Sequence, residues 1–334
     1  MRSRPIRLSL VLLAVVGVVV ATLACARATE EEGPKLSSVR IASGSVGGDF
    51  FAYGEALANV WGQELNLSVD NSPSTGSVEN VRLLRGGEID VAPITSKFGG
   101  YARQGIEQYE GDEPYPGLRA IGGIFTFSWG SWVLKSSGLT SIEGLAGQGR
   151  KIKVAMGPDP SVTEPDIRPT YEAHGVDWEN DIEPFVASYE DAYRLLGDGN
   201  IDVFEGGIGG LVPEPGLLEI AASREVLLLE VDADLMRQAG LSTTLIPAGS
   251  VPGAETDTYG FLFGTAILAT TDRVSDDDAY RLTKVWHENL ERVAELTPAA
   301  QEAIANPKLL TKDVEIVYHP GAIRYWEEIG LWGQ

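Results

Sequence analysis

Cysteine is almost absent from this chain, which has only Cys25 among its 334 residues. A single cysteine excludes an intrachain disulfide, and its place near the N-terminus leaves no thiol elsewhere for metal binding or nucleophilic catalysis. The folded part must therefore be stabilised by its hydrophobic core. With 334 residues and 43% hydrophobic content, the chain is long enough for two domains of ordinary size.

Basic residues are also scarce, because 26 Lys and Arg stand against 48 Asp and Glu, a formal net charge of −22. A surface with this excess of negative charge repels nucleic acid and anionic lipid headgroups. The composition therefore excludes nucleic-acid binding. We interpret the excess of acidic residues as a contribution to solubility rather than as a sign of a cationic ligand.

Motifs of catalysis and metal binding are lacking as well. The chain has three histidines, and it contains no H-E-x-x-H, G-x-S-x-G, Walker A or G-x-G-x-x-G pattern. The run Asp276-Asp277-Asp278 is typical of the acidic first turn of a helix, since no EF-hand spacing follows it. The sequence therefore predicts a protein that is not an enzyme and that carries no metal and no cofactor.

Only one long apolar run is present, and it lies at the N-terminus. Arg2, Arg4 and Arg7 precede an apolar stretch over residues 8–24 that ends in small residues. A charged start, an apolar centre and a small-residue end are typical of an export signal, here residues 1–24. The alternative is a membrane anchor, but the run is at the short limit for a spanning helix.

Cys25 follows this run directly, as it does at the end of a bacterial lipoprotein signal, and lipidation of Cys25 is one expectation. Ordinary cleavage after Ala26 or Ala28 is the other. Residues 25–37 would then form a flexible polar tether. Removal of the signal leaves 23 Lys and Arg against 48 Asp and Glu, a formal charge of −25. We expect an extracytoplasmic protein, either free or lipid-anchored.

Short apolar segments alternate with segments of helical periodicity along residues 38–334. The order strand, helix, strand, helix, strand near the start predicts a parallel sheet covered by helices. The alternation begins again after Trp129. The predicted strands include 39–42, 67–69, 89–92 and 131–135, and the predicted helices include 51–65, 78–84, 167–173, 276–296 and 321–329.

The two runs of alternation predict two α/β lobes, with the second inserted into the first. Lobe 1 would comprise residues 38–128 and 233–334, and lobe 2 residues 129–232. The chain would cross between the lobes near 127–130 and again near 230–245. A ligand cleft is expected between them.

Three loops share one design, in which small polar residues precede a helix. They are SGSVGGDFF (43–51), NSPSTGSVENVRLL (71–84) and GPDPSVTEPD (157–166). The first N–H groups of a helix lack partners and the helix dipole makes that end positive, so three such ends at one cleft would suit a carboxylate. The alternative is that these Ser, Thr and Gly residues only cap helices and form turns.

Four segments of the chain resemble the TAXI family of solute-binding proteins, in the order that the family has them. They are SGSVGGDFFAYGEALANVW, STGSVENVRLLRGGEIDVAPI, GDGNIDVFEGG and YHPGAIRYWEEIGLW. The likeness extends from about residue 38 to the end of the chain, and the second and last segments are the specific ones. The resemblance implies a two-lobe periplasmic-binding-protein fold of the type II kind, with the ligand between the lobes.

The resemblance also implies a function. The protein would be the extracytoplasmic receptor of a TRAP transporter and would deliver a small organic anion to the membrane subunits. Glutamate, glutamine and 2-oxo or dicarboxylic acids are the ligands that the family suggests. We expect a monomer. Two alternatives remain open: a periplasmic sensory subunit for a membrane-bound signalling protein, and an enzyme on a related scaffold.

Carried over by position, the resemblance implies a set of ligand-binding residues. The first two segments supply Ser45, Gly47, Gly48, Phe51, Thr75, Gly76, Ser77 and Asn80, the residues directly after the second supply Thr95 and Ser96, and the loop from the other lobe supplies Ser161 and Thr163.

This chain departs from the family in several of these places. Pro160 and Val162 replace glycines in the loop that contains Ser161. Where the family often reads Gln-Ser-Asp, this chain has Thr95, Ser96 and Lys97. We interpret Lys97 as exposed, and the alternative is that it pairs with a second carboxylate of the ligand.

Glu205 is the sequence candidate for contact with a free α-amino group. It lies in DVFEGG, at the end of a predicted strand on the side between the lobes. The alternative is a solvated carboxylate without a ligand.

Overall fold

A computed structural model describes residues 36–312 and 314–333, without the side chains of residues 160–162. The predicted export signal, Cys25 and most of the predicted tether therefore lie outside the described residues. In the part of the chain that is described, no helix is long and apolar enough to span a membrane.

Strands and helices alternate along the described residues. The strands are β1 Ser38–Gly44, β2 Ser68–Pro73, β3 Ala92–Thr95, β4 Leu118–Leu134, β5 Ile152–Ala155, β6 Ile182–Phe185, β7 Val203–Gly209, β8 Val212–Pro213, β9 Val226–Leu228, β10 Thr243–Ile246 and β11 Thr258–Thr271. The α-helices are α1 Asp49–Leu65, α2 Ser77–Gly86, α3 Ser96–Gln104, α4 Pro160–Ala173, α5 Trp178–Asp181, α6 Tyr189–Gly197, α7 Pro215–Ala221, α8 Ala233–Gln238, α9 Asp276–Glu288, α10 Leu290–Leu296, α11 Gln301–Ala305 and α12 Pro320–Glu328. Short 3₁₀ helices cover Glu107–Tyr109, Lys135–Ser137, Glu143–Leu145, Pro298–Ala300 and Pro307–Thr311.

The strands form two sheets. β1 and β2 pair in parallel as a two-stranded sheet. The larger sheet has the order β10-β11-β4-β7-β5-β6, and β3, β8 and β9 join it on β11, β7 and β4. The pairs of β5 with β6 and β7 are parallel, whereas β4 pairs antiparallel with β7 and β11. The predicted mixed α/β class with a central sheet is confirmed.

Two long antiparallel strands were not predicted in this form. β4 has 17 residues and β11 has 14, and almost every residue of β4 is buried. A strand that is buried on both faces shows no alternation of apolar and polar residues, so periodicity alone does not identify it. From the sequence we predicted only the last part of β4, at 131–135.

β4 joins three groups of buried apolar residues. Phe125 packs in a core with α1, β3 and α9, which includes Trp61 and Trp286. Trp132 packs in a second core, and Val133, its neighbour, packs in a third. Successive strand residues point to opposite faces, which is why neighbours in β4 belong to different cores. The boundaries of the two lobes stay a prediction.

Four helices begin directly after the carboxyl ends of strands. Three residues separate β2 from α2 and four separate β1 from α1 and β5 from α4, while α3 follows β3 without a break. In an α/β sheet these junctions lie at the edge where ligands bind. The predicted loops 43–51, 71–84 and 157–166 are three of the four junctions.

Some predicted elements have other bounds in the structure. β3 begins at Ala92, three residues later than predicted, and α4 begins at Pro160, seven residues earlier. Pro165 and Pro169 lie inside α4, and their low helix propensity favoured the later start in the sequence. The predicted helix 276–296 is two helices, because the backbone of Asn289 leaves the helical region.

Candidate functional site

The four strand-to-helix junctions meet at one narrow cavity. Its lining comes from both sides of the predicted division into lobes. The structure brings together seven of the residues predicted from the sequence, namely Ser45, Gly48, Thr75, Gly76, Ser77, Thr95 and Thr163.

Five other predicted residues are not part of the lining, namely Gly47, Phe51, Asn80, Ser96 and Glu205. The side chain of Ser161 lies outside the description. Phe50, rather than Phe51, faces the cavity, because successive residues of a helix point about 100° apart. Whether each predicted residue contacts a ligand stays a prediction.

Asn80 and Ser77 hold the loop between β2 and α2 in place. The Asn80 side chain donates to the carbonyl of Pro93 at 2.9 Å and accepts from the hydroxyl of Ser74 at 2.6 Å. The hydroxyl of Ser77 accepts from the backbone N–H of Thr95 at 3.0 Å. These side chains therefore position the loop, and the buried Asn80 acts behind the cavity rather than in it.

The glycines of SGSVGG allow a close approach to another part of the protein. The hydroxyl of Ser45 accepts from the N–H of Tyr189 at 3.2 Å. A Cβ at Gly48 would lie 3.0 Å from the Tyr189 ring, and one at Gly47 would lie 3.2 Å from the Tyr193 ring. Gly47 also has φ +90°, a conformation that favours glycine. The loop thus packs its backbone against α6.

Three helix N-termini point their first turns to the cavity. The residues that precede α1, α2 and α3 are Gly48, Gly76 and Thr95, and none of the three caps its helix with a side-chain hydrogen bond. All three line the cavity. Uncapped N-termini offer N–H donors and the positive end of the helix dipole. This arrangement can bind an anion.

Three buried polar atoms in the lining have no hydrogen-bond partner. They are Oδ2 of Asp49, Oγ1 of Thr95 and Nε1 of Trp129. Asp49 and Trp129 are each 3% exposed and Thr95 is fully buried. Buried polar groups are nearly always paired, and an unpaired one lowers stability by about 1–3 kcal/mol. Three of them in one cavity make this cavity the candidate binding site.

Two carboxylates in the lining carry raised pKa values. Burial raises the pKa of Asp49 well above its usual range, the charge of Glu214 adds to this, and a hydrogen bond from the Gly209 backbone opposes it. Burial raises the pKa of Glu214 to about 7, against hydrogen bonds from Tyr193 and the Gly207 backbone. The Tyr193 hydroxyl donates to Glu214 at 2.5 Å. Ionising both of these buried acids at once is therefore unfavourable.

Aromatic rings form the apolar walls of the cavity. Phe50 stacks on Phe127 with ring centroids 5.4 Å apart, and Phe127 meets Trp129 edge to face at 5.5 Å. Trp129 meets Phe263 at 5.8 Å, and Tyr189 lies against Trp129 at 6.4 Å. The walls can therefore contact a hydrocarbon group.

Lys97 is not exposed, in contrast to the expectation from the sequence. Only 15% of its side chain is accessible, and its Nζ pairs with Asp166 of α4 and lies 3.8 Å from the centre of the Phe263 ring. Burial lowers the pKa of Lys97, and the charge of Asp166 opposes that shift. Among the described residues, no Lys or Arg lines the cavity.

Glu205 lies away from the cavity. It is 2% exposed, and the hydroxyl of Tyr171 donates to it. Burial raises the pKa of Glu205 to about 7, while hydrogen bonds from Ser131 and Tyr171 oppose the shift. Glu205 is therefore not the solvated carboxylate of the alternative interpretation either.

The sequence reasoning missed the acids and most of the aromatic rings of the cavity. Asp49 stands inside the glycine-rich loop that we singled out, and its position at the start of a helix made it look like an ordinary first-turn acid. Glu214 and Phe263 come from segments without a recognisable motif. Only the fold brings them to the cavity. Within the described residues, no group of three or more His, Cys, Asp and Glu is placed to hold a metal ion.

Solved structures with a similar fold are substrate-binding proteins. PhnD1 from Prochlorococcus marinus in complex with methylphosphonate superposes with a TM-score of 0.50, at 12% identity over 79% of this chain and 90% of that chain. This likeness shows the fold, and the predicted periplasmic-binding-protein fold is confirmed.

Two other structures are also similar. The binding protein component of a phosphonate ABC transporter from Pseudomonas aeruginosa has a TM-score of 0.49, at 11% identity over 79% of each chain. The periplasmic aliphatic sulphonate binding protein SsuA from Escherichia coli has a TM-score of 0.44, at 12% identity over 90% of each chain.

The sequence profile of the NMT1-like family matches residues 41–330. This match covers all of the strands and helices described above except the first residues of β1. Membership of the TAXI family is a finer assignment, and it stays a prediction. The chain belongs to the NMT1-like family.

Proposed function

We propose that this protein is an extracytoplasmic solute receptor that encloses one small organic anion in the cavity between its strand-to-helix junctions. The observation that carries the proposal is the pair of unpaired donors on Thr95 and Trp129, in a cavity that also receives three uncapped helix N-termini. A hydroxyl, an indole N–H and backbone N–H groups are donors for an anion.

Family and fold support the proposal. PhnD1 was solved with methylphosphonate, a ligand that carries an anionic group. Periplasmic binding folds of this kind place the ligand where α/β junctions meet. A receptor of this kind would release its ligand unchanged, so the proposed function includes no enzymatic activity.

We propose further that the receptor delivers its ligand to the membrane subunits of a TRAP-type transporter, as the TAXI resemblance implies. Similar solved structures include a binding protein component of an ABC transporter. The identity of the membrane subunits that bind this receptor therefore decides between a TRAP and an ABC system. Crosslinking in native membranes, followed by mass spectrometry of the captured subunits, tests this point. Capture of ABC permease subunits would contradict the TRAP assignment.

Two further predictions have their own tests. The mass of the N-terminal peptide tests lipidation of Cys25, and the molar mass from light scattering tests the prediction of a monomer.

The binding proposal is tested by thermal unfolding of the purified protein with amino acids, 2-oxo acids, dicarboxylates and sugars. A ligand that binds only the folded form stabilises it by about 2.7 kcal/mol at a hundredfold excess over its dissociation constant. We expect one class of anion to raise the melting temperature and to be recovered unchanged, and sugars to have no effect. Stabilisation by sugars alone would contradict the proposal, and product formation would contradict the assignment as a receptor.

A further inference from the structure

We infer that the ligand of this cavity is a zwitterion with one carboxylate, one ammonium group and an apolar body, and that Asp49 and Glu214 bind its ammonium group. The inference rests on the proposed function and narrows the ligand to apolar α-amino acids. It departs from the acidic ligands, such as glutamate and dicarboxylates, that the sequence resemblance implies.

The two carboxylates lie along one face of the same strand. A Cβ at Gly209 would be 2.9 Å from Oδ2 of Asp49, and a Cβ at Gly207 would be 2.8 Å from Oε1 of Glu214. Residues two apart in a strand share a face, so the carboxylates lie at neighbouring positions of β7. A side chain at Gly207 or Gly209 would clash with these carboxylates, so the absence of a Cβ at both positions makes space for the two acids. Asp49 comes from α1 and Glu214 from the residue before α7, and both line the cavity.

These acids lack a cation of their own. Glu214 is 1% exposed and hydrogen-bonded to Tyr193, whereas Oδ2 of Asp49 has no partner. Buried charges in proteins are normally paired, and two neighbouring carboxylates repel each other. Because no Lys or Arg among the described residues lines the cavity, a cationic group of the ligand is the partner that would let both acids ionise. A primary ammonium group has the three donors that two carboxylates can accept.

The lining also offers donors for a single carboxylate. The N-termini of α2 and α3 reach the lining at Gly76 and Thr95, and the hydroxyl of Thr95 is unpaired. The rings of Phe127 and Phe263 in the same lining can contact the apolar body of the ligand. A second carboxylate would meet no free cation there, since Lys97 is paired with Asp166.

The test is calorimetric titration of the purified protein at pH 7.5 with matched probes. L-leucine and L-phenylalanine carry the predicted groups. Their deaminated partners, 4-methyl-2-oxopentanoate and phenylpyruvate, lack the ammonium group, and L-glutamate adds a second carboxylate. We expect at least one of the two amino acids to bind about 30-fold or more tightly than both its 2-oxo partner and glutamate, the range that loss of a buried charge pair produces.

The assignment to Asp49 and Glu214 is tested by the isosteric variants D49N and E214Q. Each removes a carboxylate charge while keeping the side-chain size, and we expect the preference for amino acid over 2-oxo acid to fall about tenfold or more. E205Q is the matched comparison, because Glu205 is also a buried carboxylate bonded to a tyrosine hydroxyl but lies outside the lining. Circular dichroism and melting temperature verify that each variant is folded.

The outcomes separate this inference from the proposed function. Equal or tighter binding of the 2-oxo acids or of glutamate overturns the inference and leaves an anion receptor. A preference that survives in both D49N and E214Q, or that disappears in E205Q alone, overturns the assignment of the ammonium site. If neither amino acids nor any of the other anions bind, the proposed function fails, and the inference fails with it.

Discussion

At the scale of single residues, the cavity differs from the rest of the interior in how its polar atoms are paired. Thr270 is fully buried and donates to the carbonyl of Asp90 at 2.7 Å. Thr95 is equally buried, yet its hydroxyl has no partner. A hydroxyl without a partner lowers stability and is retained only where it serves another purpose. The contrast between these two threonines makes ligand binding at Thr95 testable.

We expect T95V to lower ligand affinity about 3- to 10-fold, the effect of one lost hydrogen bond, without loss of folding stability. Valine has nearly the same shape, and the backbone N–H of Thr95 keeps its bond to Ser77. T270V is the matched control, and it should lose about 1 kcal/mol of stability while keeping the affinity. Calorimetry and thermal melts measure both quantities. Unchanged affinity in T95V would contradict a role for this hydroxyl.

The raised pKa of the buried Glu205 leads us to expect that the folding stability depends on pH. Its pKa is raised from 4.5 to about 7 in the folded protein, so the stabilising contribution of the protonated form is present below pH 4.5 and is lost as pH rises through 7. We expect E205Q to be about as stable as the wild type at pH 5 and more stable at pH 8, by up to about 3 kcal/mol. Thermal melts of both proteins measure the difference. An equal difference at the two pH values would be inconsistent with this shift.

At the scale of secondary-structure elements, the important feature is the loop that joins β1 to α1. Its glycines do not stand free around a ligand as in a phosphate-binding loop, because Gly47 and Gly48 pack directly against Tyr193 and Tyr189 of α6. The carbonyl of Gly47 also accepts from the N–H of Gly216 at 3.3 Å. The start of α1 is therefore held by distant parts of the chain, and this positions Asp49 and Phe50 at the cavity.

Two glycine substitutions, one in this loop and one inside α1, should have opposite effects on the stability of the protein. We expect G47A to destabilise the protein by about 1–2 kcal/mol, because φ +90° strains alanine and its Cβ would crowd the Tyr193 ring. G62A, inside α1, should stabilise by about 0.5–1 kcal/mol, since its Cβ would have ordinary contacts and alanine favours helix. Urea unfolding measures both changes. Destabilisation of the same size in G62A would contradict the claim that the backbone conformation and close packing of Gly47 cause the loss of stability in G47A.

At the scale of the whole molecule, the ion pair of Lys97 and Asp166 joins α3 to α4. These helices belong to opposite sides of the proposed division into lobes, and both begin at the cavity. A pair of this kind is made only when the two sides are close together. It can therefore influence ligand affinity without touching the ligand, by favouring the closed arrangement.

We expect D166N to weaken ligand binding about 3- to 10-fold, the effect of losing one partly buried ion pair that stabilises the closed form. D202N is the matched control. Its partner Arg150 lies at 2.6 Å, and both residues belong to the same side of the proposed division. D202N should leave the affinity unchanged. Equal affinities of wild type and D166N in calorimetry would show that the pair has no part in closure.

Part of the molecule followed from the sequence alone. The alternation of strands and helices determined the α/β class, because periodicity reflects which faces are buried. Small residues before helices located three of the four junctions at the cavity, since the first N–H groups of a helix lack intrahelical partners in every fold. The scarcity of basic residues and of catalytic motifs predicted against nucleic-acid binding and against common catalytic sites, and both stay predictions.

Other features depended on the tertiary structure. β4 and β11 are buried on both faces, so no local pattern marks their length. Lys97 was expected to be exposed, and only the packing of α4 against α3 pairs it with Asp166. Pairing between distant residues has no local signature in one sequence.

The chemistry of the cavity shows the same division. Local sequence determined that helix N-termini with Ser, Thr and Gly would offer donors to an anion, because these properties belong to a few consecutive residues. Only the tertiary structure placed Asp49 near Glu214 and buried the indole N–H of Trp129 without a partner, because both facts depend on segments far apart in the chain that share one water-poor space. Burial and the proximity of distant groups set charge and specificity, and both arise only when the chain is folded.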